Sequence, residues 1–284
     1  MCAKSHVQSD VVSLGSLPSE FFQRPMMDVA SYVVGFIKPS TDAQVVPELI
    51  GSGTLVATSG RRAILTAEHV LRKLMREIPQ GSRLGLLLDP NMPRITISMN
   101  AVSCVPLARG KLDAEGPDLG VMLLSEAVAG SIAAIKRFYS LSAVRDFLLH
   151  SPPDRHSGFW FVNGFPATEA VRTTDGDSEI IRFLNLSGAG GPEEPVTRGE
   201  YDYYKFPVPN RASAPESFGG MSGGGFWQIR LRRKQDGTLE TLPPLLSGVV
   251  FYQVWTPSEC ALLCHGRRSV YEIAYQAIES GKAP

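Results

Sequence analysis

Three short segments carry a histidine, an aspartate and a serine that could share one acyl-transfer site. His69 lies in LTAEHV at 65–70, Asp118 in GPDLGV at 116–121 and Ser222 in GGMSGG at 219–224. A serine hydroxyl is a poor nucleophile until a neighbouring base removes its proton, and a histidine suits that task. A buried carboxylate can then orient the imidazole. These residue types therefore predict Ser222 as nucleophile, His69 as base and Asp118 as the orienting acid.

The glycines around the serine have a predicted role of their own. A tetrahedral intermediate carries a developing oxyanion, which backbone N–H groups can stabilise if they already point at it. Glycine adopts the turn conformations that aim such groups inward. The N–H groups of Gly220 and Ser222 are the predicted donors. Gly223 and Gly224 would let the following strand pass close to its neighbours.

Taken singly, each motif has an ordinary structural interpretation. A histidine after a strand, an aspartate before one and a serine among glycines are all common in loops and turns. Asp113 is a rival to Asp118, but no strand directly follows it. The order of the three motifs is what favours a shared site.

That order resembles the trypsin-like (chymotrypsin-fold) serine peptidase family, in its bacterial or intracellular form. Thr66-Ala67-x-His69 resembles the family's histidine motif, Asp118-Leu119-x-Val121 its aspartate motif and Gly220-x-Ser222-Gly223-Gly224 its nucleophile motif. Supporting motifs stand at 51–55 (GSGTL), 162–166 (VNGFP) and 248–250 (GVV), and the resemblance covers roughly residues 29–255. It implies a catalytic triad, an acyl-enzyme on Ser222, a polypeptide substrate and no cofactor or metal.

The sequence departs from this family beside the nucleophile. Met221 stands where secreted relatives have an aspartate that pairs with a freed N-terminus, and the usual disulfide cysteines are missing. Counting back six residues from Ser222 puts Glu216 at the base of the specificity pocket. There it would favour a basic residue before the cleaved bond, or it is simply a solvated loop carboxylate. The pocket walls expected from the resemblance are Phe251, Tyr252 and Gln253.

The elements that must position these residues are mostly short strands. Many short strands with Gly/Pro turns favour barrels or sandwiches, and the resemblance narrows this to two packed six-stranded antiparallel β-barrels with a C-terminal helix. The predicted organisation is a flexible arm at 1–25, a first barrel with linker at 26–150 and a second barrel with helix at 151–284. Strands are predicted at 29–37, 52–58, 62–65, 84–88, 94–99, 119–124, 159–163, 179–185, 201–208, 225–233 and 245–253. Helical patterning covers 131–149 and 269–277.

Composition excludes several classes of partner. Lys plus Arg and Asp plus Glu both number 28 in 284 residues, so nothing in the charge points to nucleic acid or a membrane. The absence of a signal-like segment predicts a cytoplasmic protein. The four cysteines are too few for a disulfide framework, and Cys260, Cys264 and His265 fit no common zinc spacing. The cysteines are Cys2, Cys104, Cys260 and Cys264.

The leading hypothesis is a serine endopeptidase that hydrolyses peptide bonds through Ser222. Relaxed surroundings such as Met221 leave open a catalytically silent pseudo-protease that binds peptides or partners. A third hypothesis is a protease effector that waits for a trigger, with a regulatory protein partner contacting the N-terminal arm or the C-terminal helix.

Overall fold

The computed structural model describes residues 14–39, 47–89, 94–110, 115–175, 178–183, 185–208, 215, 217–256 and 258–282. Glu216 and Asp113, both considered above, lie outside these residues. No helix within the described ranges combines the length and the apolar character needed to cross a lipid bilayer.

The first sheet follows the order β5-β4-β1-β2-β3-β7-β6 and curves into a half-barrel. A two-residue strand, β8, pairs in parallel with β2 beside this path. The strands of this sheet are β1 (Val33–Lys38), β2 (Glu48–Ala57), β3 (Arg62–Thr66), β4 (Arg83–Leu87), β5 (Ile95–Ser98), β6 (Val102–Arg109), β7 (Asp118–Leu124) and β8 (Tyr139–Ser140).

The second sheet follows the order β12-β9-β15-β17-β18-β14-β13, with β16 paired to β15. Two further strands, β10 and β11, form a separate hairpin. The strands of this part of the chain are β9 (Gly158–Gly164), β10 (Ala170–Asp175), β11 (Ser178–Phe183), β12 (Leu186–Gly190), β13 (Val196–Arg198), β14 (Tyr201–Pro207), β15 (Gly225–Arg233), β16 (Leu239–Thr241), β17 (Leu245–Trp255) and β18 (Cys260–His265).

Helices connect and flank the sheets. They are α1 (Glu20–Ala30), α2 (Glu68–Glu77), α3 (Glu126–Ala133), α4 (Leu141–His150) and α5 (Tyr275–Ser280), the last preceded by a π-helical segment at Ser269–Ala274. The mostly-β architecture, with two sheets and a short C-terminal helix, is consistent with a two-barrel chymotrypsin-like fold and confirms the predicted fold class. Each sheet has eight strands rather than the predicted six, because seven strands form its main path and one short strand, β8 or β16, pairs with an interior strand beside that path.

A buried apolar cluster joins the two sheets. It combines Leu65 and Val121 of the first sheet with Phe161, Trp227 and Val249 of the second. A second cluster lies mainly within the first sheet and α2, and a third lies within the second sheet and the turn before β15. Burial of apolar surface in the shared cluster therefore fixes how the sheets face each other.

The helix α1 is an element that the sequence analysis did not predict. It begins inside the segment expected to form a flexible arm, and its apolar residues dock on the second sheet. The ring centroid of Phe22 lies 5.2 Å from that of Phe159 and that of Phe21 lies 6.3 Å from it. Aromatic pairs at this separation contribute beyond their buried area.

The stretch predicted as one helix at 131–149 is two helices with β8 between them. Serine caps explain the interruption. The hydroxyl of Ser140 accepts the N–H of Ala143 at 3.3 Å, so a new helix starts where the long one was expected to continue. The backbone of Ser140 is extended instead of helical, which lets Tyr139 pair with Val56 of β2.

Substitution of Phe22 by alanine tests the docking of α1. Phe22→Ala should lower the free energy of unfolding by about 1–3 kcal/mol, because a half-buried aromatic ring leaves its contact with Phe159. The matched control is Met27→Ala on the same helix, since Met27 is 74% exposed. Denaturant unfolding of both variants is the measurement. Equal effects of the two substitutions would contradict the docked helix.

Candidate active site

The structure brings His69 and Asp118 into direct contact. The Nδ1 atom of His69 lies 2.5 Å from Oδ2 of Asp118, and the backbone N–H of His69 donates to Oδ1 at 2.9 Å. Asp118 is buried, whereas the ring of His69 is partly exposed. Both carboxylate oxygens are thus engaged by one residue. This arrangement holds the proton on Nδ1 and leaves Nε2 as the basic nitrogen.

The first sheet explains why these residues meet. His69 lies in the first turn of α2, directly after β3. Asp118 is the first residue of β7, and β7 pairs with β3 through Thr66 and Gly120. Residues at the end of one strand and the start of its antiparallel neighbour lie at the same edge of a sheet. The two motifs, 49 residues apart in sequence, therefore converge there.

Ser222 lies in a tight turn that needs glycine at two positions. Gly220 and Gly223 have φ angles of +96° and +90°, which other residues rarely adopt. A Cβ atom on Gly223 would lie 2.1 Å from the carbonyl oxygen of Ser52. The N–H of Gly223 donates to the carbonyl of Val250 at 2.7 Å, which ties the turn to β17. The glycine run thus serves both backbone conformation and close approach.

Ser52 of β2 ties this turn to the first sheet. Its backbone N–H donates to the carbonyl of Ser222 at 2.9 Å, and its hydroxyl donates to the carbonyl of Gly220 at 2.7 Å. The same hydroxyl accepts the N–H of Phe165 at 2.9 Å. Ser52 is fully buried, so none of these groups has water as a substitute. The serine of the GSG motif therefore holds the nucleophile turn beside the histidine.

The peptide groups that precede Gly220 and Ser222 each have a carbonyl that already accepts a hydrogen bond. The carbonyl of Gly219 accepts from Ala167 at 2.7 Å, and that of Met221 accepts from Gly224 at 2.8 Å. Because a trans peptide points its C=O and N–H in opposite directions, the N–H groups of Gly220 and Ser222 point the other way. Within the described ranges neither N–H donates to a protein acceptor.

Met221 anchors the turn through apolar contacts. Its side chain is fully buried in a cluster with Val162, Phe218 and Phe226. The residue before Ser222 is therefore held by burial of a thioether.

A cleft of about 170 Å³ lies beside Ser222. This is smaller than the roughly 300–1,000 Å³ typical of drug-sized ligand pockets, so it suits a single side chain. The cleft includes the predicted wall residues and Val250 of the 248–250 motif, together with Phe218 and Leu262, which the sequence analysis missed. Its full lining is His69, Phe218, Gly219, Ser222, Val250, Phe251, Tyr252, Gln253 and Leu262.

The wall residues of the cleft are fixed by backbone contacts. The side-chain oxygen of Gln253 accepts the N–H of Phe218 at 2.8 Å, which closes the cleft near the turn. The hydroxyl of Ser222 donates to the carbonyl of Phe251 at 3.4 Å. Leu262 enters from β18, which pairs with β17 at Gln253. The sequence analysis predicted no strand at 260–265, so the pairing of β17 with β18 that brings Leu262 to the cleft was missed.

Behind Asp118 lies a second histidine that the sequence analysis set aside. The backbone N–H of Asp118 donates to Nε2 of His265 at 3.0 Å. His265 is fully buried, and this burial lowers the pKa of its imidazole to about 4. The ring is therefore neutral at pH 7. No local motif marks His265, because its partner is 147 residues away in the sequence.

Comparison with known proteins adds little at the sequence level. No protein-family model matches the chain, and no curated protein sequence does. Among solved structures, the HtrA-type protease AlgW with a decapeptide has a TM-score of 0.47 at 12% identity, with 90% of this chain and 66% of AlgW covered. A structure from work on the Sesbania mosaic virus VPg protein has a TM-score of 0.43 at 14% identity, with 86% and 90% covered.

A third similar structure is the tobacco vein mottling virus protease. It has a TM-score of 0.36 at 9% identity, with 84% of this chain and 79% of that chain covered. The fold assigned above comes from the two sheets and the C-terminal helix of this chain itself.

Removal of the Ser52 hydroxyl tests how the turn is held. Ser52→Ala should lower the free energy of unfolding by about 2–4 kcal/mol, because the Gly220 carbonyl and the Phe165 N–H both lose a buried partner. It should also slow the reaction of Ser222 with a fluorophosphonate probe at least tenfold. The control is Ser59→Ala in the exposed β2–β3 turn. Unchanged unfolding and labelling in Ser52→Ala would show that the turn is held by other contacts.

Proposed function

We propose that this chain is a serine endopeptidase that cleaves peptide bonds through an acyl-enzyme on Ser222. The observation that carries the proposal is the pair formed by His69 and Asp118, 2.5 Å apart, at a cleft that Ser222 also lines. Acyl transfer by a serine requires a base within reach of the hydroxyl and a buried carboxylate that orients that base, and these three residue types meet here at one cleft.

The proposed reaction assigns one task to each group. The Ser222 oxygen attacks the scissile carbonyl carbon while Nε2 of His69 takes its proton. Asp118 stabilises the imidazolium that results. The N–H groups of Gly220 and Ser222 hold the oxyanion. His69 then donates the proton to the leaving amine, and a water molecule activated by His69 hydrolyses the ester.

The Ser222 hydroxyl must leave its present hydrogen bond before it reacts. The Ser222 hydroxyl bonds to the Phe251 carbonyl at 3.4 Å, near the limit of a hydrogen bond. Leaving so long a bond costs little, and catalytic hydrogen bonds in unliganded enzymes commonly tighten only when substrate binds. Turning the hydroxyl toward His69 is therefore compatible with the proposed base.

The cleft favours an uncharged, apolar residue on the acyl side of the cleaved bond. Phe218, Val250 and Leu262 contribute apolar surface, and the side-chain oxygen of Gln253 is already occupied by a backbone N–H. A charged side chain entering such a cleft would lose hydration and would find no opposite charge among the described lining residues other than His69. We therefore infer a preference for residues such as alanine, valine or leucine before the scissile bond.

The silent pseudo-protease is not the favoured alternative. A protein that only binds peptides has no need of a buried carboxylate whose two oxygens are both engaged by His69. Tight peptide binding without turnover would nevertheless be the result that selects it.

Probe labelling tests the proposed nucleophile. A fluorophosphonate should label the wild-type chain, and Ser222→Ala should abolish labelling. Among the described residues that line the cleft with His69, only Ser222 and Tyr252 carry a hydroxyl, and Ser222 is the only aliphatic alcohol. His69→Ala should slow labelling at least a hundredfold. Ser103→Ala, an exposed serine on β6, is the matched control and should label normally. Equal labelling of wild type and Ser222→Ala would remove the mechanism.

A peptide series tests the cleft. Substrates that differ only in the residue before the scissile bond should be cleaved at least tenfold faster, by kcat/KM, with alanine, valine or leucine than with lysine or aspartate. The reason is the unpaired charge that the latter two would bury among Phe218, Val250 and Leu262. A clear preference for lysine would overturn the inference and point to a carboxylate outside the described residues, such as Glu216.

A further inference from the structure

A chain of buried polar groups runs away from the active site behind Asp118. It begins at the bond from the Asp118 N–H to Nε2 of His265, at 3.0 Å. Nδ1 of His265 lies 3.3 Å from the hydroxyl of Ser269, and that hydroxyl lies 2.8 Å from Oδ1 of Asp202. None of these three outer residues takes part in the proposed reaction.

The bond to Asp118 fixes the tautomer of His265. A backbone N–H can only donate, so Nε2 of His265 must accept from Asp118. The ring proton of neutral His265 therefore sits on Nδ1 and faces the Ser269 hydroxyl. That hydroxyl can then donate to the carboxylate or to the backbone carbonyl of Asp202, at 2.8 and 3.2 Å. The Asp202 carboxylate also accepts the backbone N–H of Ser269 at 2.8 Å, which ties Ser269 to β14 whichever acceptor its hydroxyl takes.

Aromatic rings hold His265 in place. The ring centroids of Phe251, Tyr203 and Tyr201 lie 4.8, 5.1 and 5.7 Å from that of the imidazole. Burial keeps the pKa of the ring near 4, so the ring stays a neutral acceptor through the neutral range. The acceptor offered to Asp118 is thus both immobile and constant in charge.

The chain connects the second sheet to the first at the catalytic carboxylate. Asp202 belongs to β14, His265 to β18 and Ser269 to the segment before α5, whereas Asp118 begins β7. The first residue of a strand has fewer ladder bonds to fix it than an interior residue. A donor–acceptor bond at the Asp118 N–H therefore sets where its carboxylate meets His69.

We infer that His265 is a positioning residue, which, with Ser269 and Asp202, fixes Asp118 and through it the orientation of the His69 ring. The kinetic part of this inference rests on the proposed endopeptidase activity. Its structural part, the effect on the bond between His69 and Asp118, does not.

Two substitutions of His265 separate positioning from packing. His265→Gln keeps a side-chain acceptor for the Asp118 N–H and should retain kcat within about threefold. His265→Phe keeps a ring among Tyr201, Tyr203 and Phe251 but removes the acceptor. It should lower kcat at least tenfold with KM changed less than twofold, measured on active-site-titrated enzyme. A residue needed only for packing would give the opposite order, with phenylalanine tolerated better than glutamine.

Ile97→Ala is the control for loss of stability. Ile97 is buried on β5, the strand at the outer edge of the first sheet, away from the cleft and from the Ser222 turn. The control should lower thermal stability and leave kcat of the folded enzyme unchanged. If His265→Phe and Ile97→Ala lower stability alike and both leave kcat unchanged, the inference is overturned.

A proton NMR measurement gives a readout that needs no turnover. The short bond between His69 Nδ1 and Asp118 should give a low-field exchangeable proton signal in the wild type. Ser269→Ala and His265→Phe should shift or broaden this signal, whereas Ile97→Ala should leave it in place. If the two substitutions change the signal but the wild type cleaves no peptide, the positioning role is upheld and the endopeptidase is refuted. If the wild type cleaves peptides but neither substitution changes the signal, the endopeptidase is upheld and the positioning role is refuted.

Should His265→Phe fail to fold, Ser269→Ala still decides the question. It removes only one hydroxyl from the buried chain, so the protein should fold and lose kcat by about three- to tenfold. An unchanged kcat and an unchanged low-field proton in folded Ser269→Ala would overturn the inference.

Discussion

The geometry of the candidate active site depends on the hydrogen bonds between β2 and the glycine turn at 219–224. His69 and Asp118 are positioned by the first sheet, whereas Ser222 precedes a strand of the second. The contact between the sheets therefore determines how these three side chains lie relative to one another. Ser52 supplies part of that contact, because its N–H donates to the carbonyl of Ser222 and its hydroxyl donates to the carbonyl of Gly220. Thr54 adds a bond to the carbonyl of Gly223 at 3.1 Å. Because these groups are buried, breaking any of them leaves a polar atom without water.

The polar chain behind Asp118 complements this contact from the opposite side. One set of bonds brings the nucleophile turn to the first sheet, and the other brings the end of β18 to the start of β7. The imidazole of His69 lies between them. The candidate active site therefore lies where the two sheets meet, and that junction is held by directional bonds as well as by the shared apolar cluster. Apolar burial alone is non-directional and would not fix ångström-scale geometry.

Much of the fold could be predicted from the sequence, since strand patterning and turn residues act locally. The motifs around His69, Asp118 and Ser222 also carried local signals, and the cleft walls followed from the strand after the nucleophile. His265 could not be found in this way, because its role depends on a contact across 147 residues. The GSG motif was recognised, but the bond from Ser52 to a carbonyl 168 residues away was not foreseeable. Similarly, α1 is stabilised by Phe159 on another element more than by its own pattern.

Met221 gives the nucleophile turn a particular kind of support. Its thioether sits among Val162, Phe218 and Phe226 with no ionic partner, so the attraction that holds it has no Coulombic component for dissolved ions to shield. A turn anchored by a salt bridge would loosen in concentrated electrolyte. Here high ionic strength should leave the shape around Ser222 unaltered.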